Sequence, residues 1–336
     1  MDGYSRRFLN SSIIQSLLLQ EGREKMGNSM KMRKEKKKNE RFDEILADSV
    51  EDVVLMRRSE DWVCCSKKEI TSSDKGWKQE IGCTRMTYVQ NGKDDTFIGS
   101  NTNCEIFMMG PDKEPVANFE QIHRIRVTAL TANDKILFSG GRDCVVGVYD
   151  RETRKCISRC KIPRNLVTDA CFCGENTVAQ VGEDLSMKIW DTRDMKKKPS
   201  ILFLGFKYFA LGVCTLVENQ TVVTSSTGHT VGGCEIRIWD IRKGGVMSKL
   251  SSHKEAATCV SRVSQSRFLS GSADGTVFLW DINQSLGPKC IIGIEDLGSP
   301  VTSLDCFGGR CAVGTEDGSM HLLRYVGKHS LADSDG

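Results

Sequence analysis

Two groups of residues could do hydrolytic chemistry on side-chain type alone. His123, Ser139 and Asp143 form one; His253, Ser270 and Asp274 form the other. A hydroxyl, an imidazole and a carboxylate are the parts of an activated nucleophile. The set occurs twice in the same order, which fits a repeated structural unit better than a single active site. The chain has no GxSxG elbow, no HExxH, no GxxxxGK phosphate loop and no GxGxxG opening a helix. The fifteen cysteines are scattered through strand-like segments without a CxxC pair, and only five histidines could join them as ligands. Cys156-x3-Cys160 is a weak metal spacing, and Cys171 and Cys173 alternate with Phe172 as on one side of a strand. The cysteines therefore read as small buried hydrophobes in a reducing compartment. No catalytic residue, cofactor or metal is expected.

The elements that would hold these residues come from one stretch, Leu269 to Asp281, LSGSADGTVFLWD. A small-residue strand end is followed by the turn Ala273-Asp274-Gly275 and an alternating apolar run that ends in Trp280-Asp281. Asp274 stands six residues before Trp280, Asp184 six before Trp190, Asp143 six before Tyr149, Asp317 six before Leu323 and Asn103 six before Met109. The end positions Met109, Tyr149, Trp190, Trp239, Trp280 and Leu323 are separated by 40, 41, 49, 41 and 43 residues. A period near forty with units ending in Trp-Asp is the signature of a WD40 propeller. One four-stranded unit cannot bury both faces alone, and a ring of them covers every face but the outermost.

The expected fold is all-β: a seven-bladed WD40 β-propeller over residues 41–326, a basic and disordered N-terminal extension over 1–40, and a polar C-terminal tail over 327–336. The blades fall near 50–82, 83–119, 123–160, 164–202, 208–249, 253–293 and 299–326. Resemblance to WD40 proteins implies a hydrogen-bonded network of Asp274, His253, Ser270 and Trp280 in the sixth blade. It implies Asp143, His123, Ser139 and Tyr149 in the third. Most other blades lack the histidine, so packing should dominate there. Blade one has no Trp-Asp. In blade five Gly233 stands where the turn aspartate is due, inside a Gly-, Thr- and Ser-rich insertion. The seventh blade lacks a fourth strand, and a segment near residues 42–49 is expected to supply it and close the sheet edge.

The net charge of +3 sits in the N-terminal segment. Residues 1–40 hold ten Lys plus Arg against five Asp plus Glu, and the remainder 37 against 39. The apolar patch in FLNSSIIQSLLLQEG is broken by polar residues and has no cleavage site of the secretory kind, so the protein is not expected to be secreted. The basic run Lys31, Arg33, Lys34, Lys36, Lys37 and Lys38 reads as a solvated tail, with contact to an anionic membrane as the functional alternative. It has no aromatics to stack on bases, so no nucleic-acid partner is expected. Met26-Gly27 before this run gives a candidate lipidation site, Gly27, if translation began at Met26. Lys31 stands where the motif wants Ser or Thr.

A closer resemblance is to the WD repeat-containing protein 31 family. It is carried by RFDEI (41–45), PRNLVTDACF (163–172), EDLSMKIWDTR (183–193), the insertion before CEIRIWDIR (234–242), SPVTSLDCF (299–307) and MHLLR (320–324). The resemblance implies a non-enzymatic scaffold of cilium assembly and ciliary trafficking, in the cytoplasm, cilium or ciliary base. Implied partners are ciliary transport components and GTPase-activating proteins. A second reading comes from the WDxR pattern in adjacent blades, Trp190-Asp191-Thr192-Arg193 and Trp239-Asp240-Ile241-Arg242. In substrate receptors of cullin-type ubiquitin ligases such an arginine reaches an adaptor protein. Trp190, Asp191, Arg193, Trp239, Asp240 and Arg242 are therefore the candidate partner-binding residues. Gln180 and Val181 replace small residues of that pattern. A generic cytosolic scaffold is the third reading.

Overall fold

The computed structural model describes residues 31–34 and 50–326, apart from short stretches at 56–61, 67, 73–77, 80–81, 92–93, 111–114, 196–197, 230–231, 285–286 and 295–296. Among the described residues every regular element is a β-strand. Seven four-stranded antiparallel sheets follow one another in chain order, and a two-stranded ribbon stands apart from them. The sheets are the seven blades expected from the sequence.

Within a blade the strands differ in pattern because they differ in depth. In blade three the second strand, Ile136–Gly141, is buried almost throughout, while the outer strand, Cys156–Lys161, alternates between half-buried and exposed. A strand covered on both faces reads as a continuous apolar and small-residue run, and a half-covered one alternates.

The repeating aromatic position is where one blade meets the previous one. Trp190 packs with Phe138, Val146 and Val148 of blade three. Trp239 packs with Met187, Ile189 and Phe203 of blade four, and Trp280 with Ile236 and Ile238 of blade five. Met109, Tyr149 and Leu323 do the same at their own seams. Even the blade without a Trp-Asp builds a core, as Val54, Val63, Cys65 and Ile70 pack against blade two.

Ring closure differs from expectation. The fourth strand of blade seven is Lys31–Lys34, with Lys31 opposite Val326 and Lys34 opposite Leu323. It is not the segment near 42–49, which lies outside the described residues. Connector length explains the difference. Elsewhere three residues (after Gln79) to eight (after Asn118) cross from an outer strand to the next inner one. A strand ending at 49 would leave two before Asp52. Crossing three strand spacings takes roughly 14 Å, and that link spans roughly 10 Å when extended. Three of the basic residues, Lys31, Arg33 and Lys34, thus belong to the ring. Lys36, Lys37, Lys38, Gly27 and the 327–336 tail lie outside the described residues.

Candidate functional site

The hydrolase-like sets sit inside the blades. In blade six the His253 ring bonds Ser270 Oγ through Nε2 at 2.7 Å, and the Trp280 indole N–H donates to the same oxygen at 2.8 Å. The other ring nitrogen meets Thr276 Oγ1 at 2.9 Å, and Thr276 donates to Asp274. The expected four-residue network thus has a fifth member, because Asp274 is 3.9 Å from the imidazole and the threonine bridges the gap. In blade three His123 joins Asp143 directly at 3.1 Å and Ser139 at 2.7 Å. Tyr149 replaces the indole; its hydroxyl lies toward Ser139 but makes no hydrogen bond of good geometry. Ser139 and Ser270 are fully buried, with 0% exposure. A carbonyl carbon of a substrate cannot reach either hydroxyl, so these contacts hold turns.

The turns share one backbone device. The residue after the repeating Asp or Asn is left-handed in each case: Cys104, Cys144, Leu185, Gly275 and Gly318, and Cys234 after Gly233. The aspartate oxygens cap the N–H groups around it. Asp143 accepts from Arg124 N and Val145 N, Asp274 from Lys254 N and Thr276 N, and Asp317 from Ser319 N. Burial alone would raise these carboxyls. The hydrogen bonds outweigh it and hold Asp143, Asp274 and Asp317 below the usual carboxylate range.

Packing was expected to dominate in blades without the histidine, and blade four adds a buried polar network to it. Its Trp190 indole donates to Gln180 Oε1 at 3.1 Å, and Gln180 Nε2 donates to Asn165 Oδ1 at 2.9 Å. The buried Lys188 ammonium bonds Asn165 at 3.1 Å, Ser186 Oγ at 2.6 Å and the Asp184 carboxylate. Lys188 stands two residues before the aromatic. The same position is Gly147 in blade three, where a Cβ would strike Ile122. It is Arg237 in blade five, bound to Glu235 and to Gly205 O and lying over Phe206. In blade six it is Phe278, packed on His253.

A second repeated device lines the axis and went unread in the sequence. The inner strands open with Val50-Glu51-Asp52, Cys83-Thr84-Arg85, Val127-Thr128-Ala129, Val167-Thr168-Asp169, Ala210-Leu211-Gly212, Ala257-Thr258-Cys259 and Val301-Thr302-Ser303. The middle residue is threonine in five of the seven, and at four seams it reaches across to the next blade, with Thr84 donating to Val127 O at 3.4 Å. Thr128 donates to Val167 O at 2.5 Å, Thr168 to Ala210 O at 2.7 Å and Thr258 to Val301 O at 2.6 Å. Leu211 cannot donate. Asp52, Asp169 and Asp305 add a parallel clamp, accepting from Met86 N, Val213 N and Leu55 N at 2.8–3.0 Å. Spacing would have exposed the threonine series, since an apolar or small residue followed by Thr recurs about once per blade.

Arg85 crosses the channel, bonding Asp169 at 2.7 Å, with Asp52 at 3.8 Å on its other side. Burial raises both carboxyls against the pull of the guanidinium, which the two acids hold charged. The bridge lines a cavity of about 260 Å³ that Tyr88, Cys214, Cys259 and Phe307 also wall. Among the described residues no group of three or more His, Cys, Asp or Glu could hold a metal ion.

Of the partner-binding candidates, Trp190 and Trp239 are buried, at 0% and 2% exposure, and contribute only by anchoring the turns that follow. Asp191 caps its own turn and grips the exposed Arg193, whose Nε and Nη2 donate at 2.9 and 2.7 Å. Asp240 caps Arg242 N and Lys243 N, and the Arg242 side chain reaches Asn219 O at 3.2 Å. Both arginines are exposed, at equivalent points of adjacent blades.

This geometry defines a seven-bladed β-propeller carrying WD repeats. Residues 244–281 match the family WD40, described as WD domain, G-beta repeat. The chain resembles the crystal structure of the WD40 beta propeller domain of Doa1, with a TM-score of 0.68 over 83% of this chain and 93% of that one at 18% identity, a likeness of fold. It is 26% identical over 75% of its length to U3 small nucleolar RNA-associated protein 15 of Schizosaccharomyces pombe, of which it spans 60%. It is 27% identical over 43% of its length to F-box/WD repeat-containing protein sel-10 of Caenorhabditis elegans, of which it spans 23%. Nuclear distribution protein nudF of Aspergillus niger is 24% identical over 61% of this chain and 44% of its own length.

Proposed function

We propose that this chain is a non-catalytic protein-interaction scaffold. The observation that carries the reading is burial: both Ser-His-Asp sets hold turns inside blades, while the arginines and the outer edges face solvent. Fold alone does not assign function, so the support comes from these sites. Within that reading the setting is ciliary trafficking from the cytoplasm or ciliary base, with transport components or GTPase-activating proteins as partners. This finer part rests on the family resemblance of residues 41–326; the relatives named above are diverse. Proximity labelling in a ciliated cell tests it. Ciliary transport proteins should dominate the labelled set, and a set without them removes the ciliary setting.

The paired arginines favour a second reading, an adaptor contact of a cullin-type ligase. Arg193→Ala together with Arg242→Ala should abolish adaptor pull-down without changing the melting temperature. Retained binding, or none in the parent protein, removes it. Anchoring to an anionic membrane through Gly27 and the basic run is tested by mass spectrometry of the mature N-terminus. A peptide starting at Gly27 with a fourteen-carbon acyl group supports it, and one starting at Met1 or Asp2 ends it.

A further inference from the structure

The outer strands of the blades are not alike. Those of blades three, five and six, Cys156–Lys161, Gly245–Leu250 and Lys289–Ile294, are six residues long; that of blade four, Ile201–Phe203, is three. Ile201, Leu202 and Leu204 are 40%, 50% and 68% exposed, so this short edge and the residue after it carry three large apolar side chains in solvent. Phe209, in the connection that follows, is 44% exposed. An outermost strand leaves one row of backbone N–H and C=O groups without a neighbouring strand, and an apolar one is a template for further pairing.

The exposed charges beside this edge have one sign. Exposed Lys198 precedes the strand and exposed Lys207 follows it. No Asp or Glu occurs between Asp194 and Glu218. Lys188, opposite Leu202, is buried and neutralised by Asp184, and Arg237, which bonds Gly205 O, is buried and neutralised by Glu235. A second copy of this chain pairing here in either direction would set lysine against lysine. Lysines at an edge discourage self-association in this way. An extended segment with acidic residues at its ends would meet the lysines and lay its apolar side chains on Ile201, Leu202 and Leu204.

We propose that the outer edge of blade four is a docking strand for an extended apolar segment of a partner protein with acidic flanks. This deepens the scaffold reading and rests on it. It concerns a different surface from the arginine pair, so either can fail alone.

The test uses the full chain and two fluorescein-labelled dodecapeptides with the same alternating Val-Thr centre, one ending in Asp-Glu at both ends and the other in Lys-Arg. Fluorescence anisotropy should show the acidic-ended peptide binding at least about tenfold tighter, with affinity falling as salt rises. Leu202→Asp with Leu204→Asp should lose about tenfold or more, while Val246→Asp with Met247→Asp on the blade-five edge and the Arg193/Arg242 double variant should not. All three variants change exposed side chains, and unchanged melting temperatures verify their folds. Equal binding of both peptides, no binding, or binding indifferent to the blade-four variant overturns the proposal. Concentration-dependent dimerisation lost in the blade-four variant would also overturn it, giving the edge to a second copy. Normal peptide binding alongside failed proximity labelling would remove the ciliary setting and leave the edge intact.

Discussion

In blade six the indole of Trp280 ends on a serine, and the bonds run on through a histidine and a threonine to a carboxylate. In blade four the indole of Trp190 ends on a carboxamide, and the bonds run through a second carboxamide to a buried ammonium group and then a carboxylate. The two chains of bonds start and finish at equivalent places, the aromatic and the turn aspartate. The frame therefore requires a satisfied indole and a capped turn, and it accepts neutral or charged groups between them. The cost differs. The blade-six line has no obligatory charge except the carboxylate, whereas blade four keeps an ammonium group at 3% exposure that would be very unfavourable without its partners.

The aromatic is common to both, so its loss should be the largest effect. Trp280→Ala and Trp190→Ala should each destabilise by roughly 3–5 kcal/mol in denaturant unfolding. A much smaller loss in blade four would mean that Gln180 and Asn165 close over the gap. The next effect separates the blades. Lys188→Met takes the ammonium partner from Asp184, leaving it the Ser186 hydroxyl, and should cost roughly 3 kcal/mol. Phe278→Leu at the matching position trims one apolar contact and should cost about 1 kcal/mol. Equal losses would show that Lys188 is solvated more than its burial implies.

Acid should act on the turns. The carboxyls of Asp143, Asp274 and Asp317 lie below their ordinary range in the folded protein, so each contributes stability that is fully present above the unfolded value near 3.9. That contribution is lost as pH falls through the lower folded value. Asp274→Asn should cost about 1–2 kcal/mol at neutral pH and progressively less below about pH 4. Melting temperatures across pH 2–7 would show this, and curves that stay parallel would contradict it. The smallest expected effect concerns the axial threonines. Thr258→Val should cost about 1 kcal/mol through the lost bond to Val301 O, and Leu211→Thr should recover a fraction of that at the seam that lacks one. No gain from Leu211→Thr would mean that its side-chain packing outweighs the missing bond.

The Asp-to-aromatic spacing made the fold legible, because a tight turn with one left-handed residue fixes how many positions separate cap and core. Six of the seven blades and their order followed from it. The replacement of His-Ser by Asn165-Gln180-Lys188 did not, since Lys188 reads as a solvated residue until its strand is seen buried on both faces. The axial threonines were legible in principle as a recurrent pair, but threonine is common in strands and the pair gains meaning only when strands of neighbouring blades face each other. The closing strand is hidden in the sequence because KMRK (31–34) reads as part of a charge run, and only the distance to Asp52 tells which segment can reach the outer edge. The exposed Arg193 and Arg242 stand on the expected turns, while the tryptophans beside them are core.

The pairing of Lys31–Lys34 with Met320–Val326 bears on how the protein is made. The basic strand leaves the ribosome before every other strand of the ring, and its hydrogen-bonding partner leaves after all of them. Six blades can therefore complete their sheets during synthesis while the first-made strand waits without its neighbour. Holding an early segment ready for a late one delays closure of the ring until its last strand has been made. A ribosome stalled anywhere before residue 320 would carry an open arc, with the outer strand still unpaired, and that arc is the form a chaperone would meet.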